Sequence, residues 1–196
     1  MKNTYFLTTA IDYSNAPPHL GHAYEKITAD VIARHQRLRG KDVFFLMGLD
    51  EHGTKNEKAA KEKGVSPEVH CDEIAEKYIE TWAKLNISYD SFIRTTEEKH
   101  KEAVKKIFIR LQEQGDIYKK SYQGLYCFGC EAFYLEKDLD EKGLCPDHKR
   151  APELVSEENY FFKITKYKQK IKEHIINNPG FIQPESRKNE VLNLLE

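Results

Sequence analysis

The 196 residues hold 31 Lys and Arg against 32 Asp and Glu, a formal net charge of −1, which argues against a general polyanion-binding surface and leaves only local patches open. A chain of this length buries one respectable core or two small ones, and it has no apolar run of membrane-spanning length. Residues 1–9 are too short and polar for a secretory signal, and the four Cys (three at metal-ligand spacing, with Cys71 alone in a helical pattern) suit a reducing, cytoplasmic setting and not a disulfide framework.

Tyr5, Phe6, Leu7, Thr8 and Thr9 have the β-branched and aromatic character of a short buried strand. A Pro-stiffened loop follows, ending in Pro17 and Pro18, and then Tyr24, Ile27, Val31, Ile32 and Leu38 recur at helical spacing as far as Gly40. The first turn of that helix carries His19, Gly21 and His22. A helix opening behind a strand presents unpaired N–H groups and a positive dipole end, which suits a phosphate. Two imidazoles there would add donors, and Gly21 would let a ligand lie against the backbone. The His pair alone is more often a pair of surface or N-terminal packing residues.

Residues 42–48 form a second apolar run, completing a βαβ unit, so the sheet should be parallel and buried on both faces, with ligands at the carboxyl ends of its strands. Leu49, Asp50, Glu51, His52 and Gly53 form the loop at that edge, which by itself also fits a solvated turn. A Lys-rich helix over 54–63 ends at Gly64, and Ser66 and Pro67 cap the next, whose Val69, Ile74, Tyr78, Ile79, Trp82 and Leu85 should face a core. Residues 89–94 suggest another strand. Thr95 to Glu98 is a capping-box pattern for a helix ending near Gly115, with Val104, Ile107, Phe108 and Leu111 as its buried stripe. No Walker-type loop and no Gly-x-Gly-x-x-Gly occurs in this half, against a kinase, GTPase or dehydrogenase reading.

Cys127 and Cys130, then Cys145 and His148, form a C-x-x-C and a C-x-x-H pair separated by fourteen residues. Thiolate and imidazole ligands in two such pairs favour tetrahedral Zn²⁺, and four protein ligands close the shell, so the metal should be structural. Aromatic flanks (Tyr122, Tyr126, Phe133, Tyr134) fit a zinc knuckle over about 122–152. An amphipathic helix is expected from about 165 to 177.

The run Asn15, Ala16, Pro17, Pro18, His19, Leu20, Gly21, His22 resembles the His-x-Gly-His signature of class I aminoacyl-tRNA synthetases in the form seen in methionyl-tRNA synthetases. The Asp50 to Gly53 loop, residues 85–96, the two ligand pairs and residues 181–191 resemble the same family, so the likeness spans nearly the whole chain. It implies a Rossmann-like parallel-sheet half of a catalytic domain over 1–114. A connective-peptide subdomain with the zinc knuckle would follow over 115–196. It also implies activation of methionine with ATP, brought with Mg²⁺, and transfer to tRNA(Met). By the resemblance His19 and His22 contact ATP phosphates, Gly21 leaves room for the nucleotide, and Glu25 touches adenosine. Ala10, Ile11 and Tyr13 wall the methionine side chain, Asp50 holds its amino group, and His52 is a weaker candidate for that pocket.

Three features depart from the family. Asp12 stands where an aromatic residue is common, His148 replaces a Cys, and no Lys-Met-Ser-Lys-Ser loop occurs; the last leads to the expectation of a truncated N-terminal piece that is catalytically inactive or very weak by itself. Competing readings are another class I synthetase, a small nucleotidyltransferase sharing the His-x-Gly-His helix, and a non-catalytic module that binds the tRNA acceptor.

Overall fold

The structure, a computed structural model, describes residues 3–130 and 132–195. It divides into two compact units between Lys105 and Lys106.

In the first unit, β1 (Thr4–Thr8), β2 (Asp12–Tyr13), β3 (Asp42–Asp50) and β4 (Ser91–Arg94) form one parallel sheet. Leu46 is level with both Thr8 and Ser91, and Leu49 with both Asp12 and Arg94, so β1 and then β2 run along one edge of β3 and β4 along the other. Three helices connect them: α1 (Leu20–Leu38), α2 (Thr54–Lys63) and α3 (Pro67–Lys84). Their ends follow the sequence signals. Ser66 Oγ accepts the Val69 N–H with Pro67 in the first turn, and Gly64 closes α2 at φ +74°, where a side chain would be strained.

The core lies on one face of the sheet, where Val43, Phe45, Met47 and Leu49 of β3 meet Ala29 and Ala33 of α1 and Ile74, Ala75, Tyr78 and Trp82 of α3. The other face does not match the expectation of a sheet buried on both sides. Phe6 and Phe44 stack there at 5.9 Å but remain 66% and 47% exposed, because α1 and α3 pack on the same side. The buried side of α1 is not made by the residues whose spacing marked the helix. Tyr24, Ile27, Val31, Ile32 and Leu38 face outward, while Lys26, Ala29, Asp30 and Ala33 are buried. Alanines let the helix lie close on β3, and the two buried charges are tolerated because each is ion-paired. In α3, Ile74, Tyr78 and Trp82 are buried as expected, whereas Val69, Ile79 and Leu85 stay exposed.

Helix α4 (Glu98–Glu113) runs across the division, and none of its residues is buried: Val104 and Ile107 are exposed, not part of a core stripe. In the second unit β5 (Ile117–Cys127) pairs antiparallel with β6 (Ala132–Tyr134) and, along ten residues, with β7 (Glu153–Phe162). Rings of Tyr122, Tyr126, Phe133 and Phe161 pack across this sheet. Helices α5 (Lys168–Asn177) and α6 (Glu185–Leu194) complete the unit. Among the described residues no helix is long and apolar enough to cross a membrane.

Candidate functional site

Two groups of side chains stand out, one in each unit. In the first unit, His19 is the N-cap of α1. Its Nδ1 accepts the Gly21 N–H at 3.0 Å, while the His19 N–H goes to His22 Nδ1 at 3.2 Å, a reciprocal capping box built from imidazoles. The rings stack with centroids 3.7 Å apart and planes 18° from parallel. A backbone N–H can only donate, so Nδ1 is an acceptor on both rings and each neutral ring carries its proton on Nε2. This alters the expected anion site: two N–H groups at the helix start are already taken, and the remaining donors are the Nε2–H groups, that of His22 lying 3.9 Å from Asp12 Oδ1. Gly21 has a role of its own here, since a Cβ on it would lie 2.9 Å from His19 Cε1 and push the ring off its cap.

His22 is held from three sides. The Tyr78 hydroxyl shares its Nδ1 at 3.2 Å, the His19 ring covers it, and Asp12 Oδ1 lies 3.9 Å from its Nε2. Burial lowers its pKa, and His19 and Lys26 lower it further against the opposing pull of Asp12 and Glu25. At neutral pH it is therefore the uncharged donor.

Ala10 and Ile11 lie in the loop that leads away from the end of β1, and Tyr13 follows in β2. Ile11 and Tyr13 are 44% and 40% exposed, and the Lys55 ammonium lies 5.0 Å over the Tyr13 ring. Tyr13 is level with Asp50 across the β2–β3 ladder, so the two share one face of the sheet, while Asp12 is level with Leu49 and turns to the α1 side. The Asp50 carbonyl accepts the Ser14 N–H at 3.1 Å, the Ser14 hydroxyl at 3.3 Å and Asn56 Nδ2 at 3.3 Å, which fixes the C-terminal end of β3. His52 Nε2 meets the Thr95 carbonyl at 3.2 Å. Between Asp50 and His52, the buried Glu51 carboxylate takes Arg94 Nε at 2.6 Å and the Thr96 hydroxyl. A cavity of about 510 Å³ opens beside this loop, lined among others by His52, Asp72, Arg94 and Glu97.

Glu25 is tied to the β1–β2 connection and to its neighbour on α1. Its Oε1 accepts the Ala10 N–H at 2.9 Å and its Oε2 the Lys26 ammonium at 2.8 Å. Burial would raise its pKa, but these two bonds hold it below the ordinary carboxylate value. Lys26, Ser14 and Arg94 were not singled out by the sequence, and Tyr78 and Glu51 were named only as a core-facing residue and a loop residue. Lys26 had one available signal, a lysine spaced three residues from both Ala23 and Ala29 on the small-residue side of α1.

In the second unit the Sγ atoms of Cys127, Cys130 and Cys145 and a ring nitrogen of His148 all lie within 4.8 Å of one another. Cys130 Sγ is 3.1 Å from His148 Nδ1 and 3.4 Å from Cys145 Sγ, and the Tyr134 hydroxyl donates to Cys130 Sγ at 3.1 Å. Burial works against ionisation of Cys145, yet N–H groups of His148 and Asp147 and the Cys130 and His148 side chains hold its thiol down at about 6. A thiol so disposed is a ready ligand. Gly129 lets the His148 ring close in, since a Cβ there would come within 2.5 Å of it. Four soft and borderline donors converging on one point fit a tetrahedral metal ion.

Comparison with known proteins adds an independent line. A family model described as "tRNA synthetases class I (M)" matches residues 5–151. Methionine–tRNA ligase of Clostridium tetani is 50% identical over 192 residues, covering 98% of this chain and 30% of that protein. The corresponding ligase of Thermotoga maritima is 45% identical over 195 residues, covering 98% of this chain and 31% of its own length. A crystal structure of Mycobacterium tuberculosis methionyl-tRNA synthetase bound by methionyl-adenylate superposes with a TM-score of 0.92 at 41% identity, over 98% of this chain and 39% of that one. The chain thus spans about 30% of the length of the curated relatives it matches.

Proposed function

The chain belongs to the class I tRNA synthetases of the methionine type, and from that premise we propose that it supplies the His-x-Gly-His portion of a cytoplasmic methionine–tRNA ligase. Its first unit has the mixed α/β, parallel-sheet fold of that catalytic domain. In the proposed reaction a methionine carboxylate oxygen attacks the α-phosphorus of ATP, supplied as its Mg²⁺ complex. Pyrophosphate leaves, and the methionyl group then passes from the adenylate to the 3′ end of tRNA(Met). Such catalysis consists of positioning and of stabilising charge on the phosphate oxygens.

The observation that carries this reading is the stacked, capped His19–His22 pair at the start of α1, with both Nδ1 atoms engaged by backbone N–H groups and both Nε2 atoms left to donate. They would donate to the ATP phosphates, with Gly21 leaving the approach clear. Ala10, Ile11 and Tyr13 would wall the methionine side chain, with the Asp50 carboxylate on its ammonium, a charge-assisted contact. The expected adenosine contact of Glu25 would fall to a carboxylate already bonded to Ala10 and Lys26. Residues 115–196 would form the connective-peptide subdomain. Cys127, Cys130, Cys145 and His148 would hold a structural Zn²⁺ that pins the β5–β6 turn to the segment before β7, and a closed shell of protein ligands leaves that ion no catalytic position.

Exchange of labelled pyrophosphate into ATP, run with each of the twenty amino acids, tests the reading. Exchange stimulated by methionine alone is expected. Stimulation by a different amino acid, or exchange independent of amino acid, would overturn it. Silence from the chain alone is resolved by adding a polypeptide equivalent to the rest of the relatives' length, and silence there too ends the proposal.

A further inference from the structure

Two adjacent side chains of α1 grip a single residue of the β1–β2 connection. Glu25 Oε1 takes the Ala10 N–H at 2.9 Å, and Lys26 Nζ donates to the Ala10 carbonyl at 3.0 Å. The same ammonium donates to Asp12 Oδ1 at 3.0 Å, lies 2.9 Å from Asp12 Oδ2 and donates to Glu25 Oε2 at 2.8 Å. The Lys26 side chain has no solvent exposure and that of Asp12 only 6%. A fully buried ammonium is tolerated only when paired and hydrogen-bonded, and this one is surrounded by oxygens of three residues.

Position gives the cluster its meaning. The β1–β3 register ends at Thr8 and the β2–β3 register begins at Asp12, so Ala10 and Ile11 lie between the two ladders. Their place is set from α1 by the bonds to Ala10. The other end of the cluster reaches the phosphate side, where Asp12 Oδ1 is 3.9 Å from His22 Nε2.

The geometry points to Lys26 as a positioning residue of the site proposed above, holding the Ala10 to Tyr13 wall in register with His22 through Asp12. The inference rests on that reading of the site for its function, though not for its contacts. The groups facing His22 are Asp12 from β2, His19, Glu25 and Lys26 from the start of α1, and Tyr78 from α3. Removing Lys26 deletes the cation nearest Asp12 and leaves that carboxylate facing His22 alone, which favours the imidazolium.

The test uses the ¹⁵N-labelled chain, with Lys26→Met compared against the double variant Asp12→Asn/Lys26→Met. Nuclear magnetic resonance follows the titration of His22 and the hydrogen exchange of the Ala10 amide. Lys26→Met is expected to raise the His22 midpoint by about one pH unit and to speed Ala10 exchange about tenfold or more, with Phe45 and Ile74 amides within about twofold of wild type. The double variant should return the midpoint to its original value while Ala10 stays fast. It also decides the matter if the single variant unfolds, since it carries no unpaired buried charge. In pyrophosphate exchange, with the complementing polypeptide added where the chain alone is silent, Lys26→Met should raise the KM for methionine about tenfold. An unmoved His22 midpoint with a protected Ala10 amide would overturn the inference. Absence of methionine dependence in the wild-type protein would instead overturn the proposed function, with the resonance data still deciding the clamp.

Discussion

Replacing Arg94 with Met isolates the energetic value of the network behind Asp50. The Glu51 side chain has no solvent exposure and meets Arg94 Nε at 2.6 Å, while Arg94 Nη2 meets the 56%-exposed Asp72 at 2.6 Å. Met keeps much of the apolar stem, so the loss is mainly electrostatic. The Asp72 contact is a surface pair worth about 0–1 kcal/mol. Glu51 would be left buried with its charge uncompensated, a situation that costs about 3–5 kcal/mol. Arg94 is itself 26% exposed, so water can partly replace it, and the lower end, about 3 kcal/mol, is expected. Urea unfolding followed by Trp82 fluorescence reads this directly, because Trp82 is the only Trp and lies in the first unit's core. Adding Glu51→Gln removes the stranded charge and should recover about 2 kcal/mol. A single variant that costs less than about 1 kcal/mol, or a double variant no more stable than the single, would refute the assignment of Glu51 as a paired buried anion.

The second unit should bind about one Zn²⁺ per chain. His148→Ala should weaken it by at least about 10–100-fold in competition with a chromophoric chelator, and a chain that stays metal-free under those conditions would contradict the ligand set. Asp30 accepts the Ser88 N–H at 2.8 Å and Arg34 Nε at 2.7 Å; burial opposes ionisation there, but these bonds and the Ser88 hydroxyl lower its pKa below the ordinary 3.8. Its contribution to stability is therefore complete above that value and lost as pH falls through the lowered one, so Asp30→Asn should flatten the acid limb of the stability–pH profile below about pH 4. Gly48→Ala would place a Cβ 2.3 Å from the Ile93 carbonyl oxygen across the β3–β4 ladder, where neither backbone can yield. A loss of about 1–3 kcal/mol or more is expected in the same urea titration, and a neutral effect would show that the strands part freely.

Features set by local chemistry were legible in the residues. Ser66 and Pro67 open α3 and Gly64 closes α2 because caps and left-handed glycines act within a few residues. The placement of His19 and His22 behind β1 followed from a strand, a loop and a helix in series. The buried side of α1 was not legible. Periodicity singled out Tyr24, Ile27 and Val31, but the choice of face was made by partners distant in sequence: β3 accepts the close approach of Ala29 and Ala33, and Asp12 and Ala10 compensate Lys26. The same limit hid the bond between the Glu25 carboxylate and the Ala10 N–H, which forms only once the β1–β2 connection folds over it. In the second unit the metal-ligand spacing announced the Cys and His cluster. The ten-residue pairing of β5 with β7 had no comparable signal, because its partners lie on either side of that cluster.

The capping role of the two histidines also separates their two nitrogens into independent assignments. Nδ1 serves the fold, replacing the oxygen of a serine or aspartate at the start of a helix, and Nε2 is left for the proposed phosphate contact. An asparagine at position 19 could return its amide oxygen to the Gly21 N–H while offering nothing at the reach of Nε2. Such a chain would keep the helix and lose the outward donor. The glycine of the motif is therefore an architectural requirement as much as a chemical one: a side chain at position 21 would press on the His19 ring and its cap whether or not a substrate were bound.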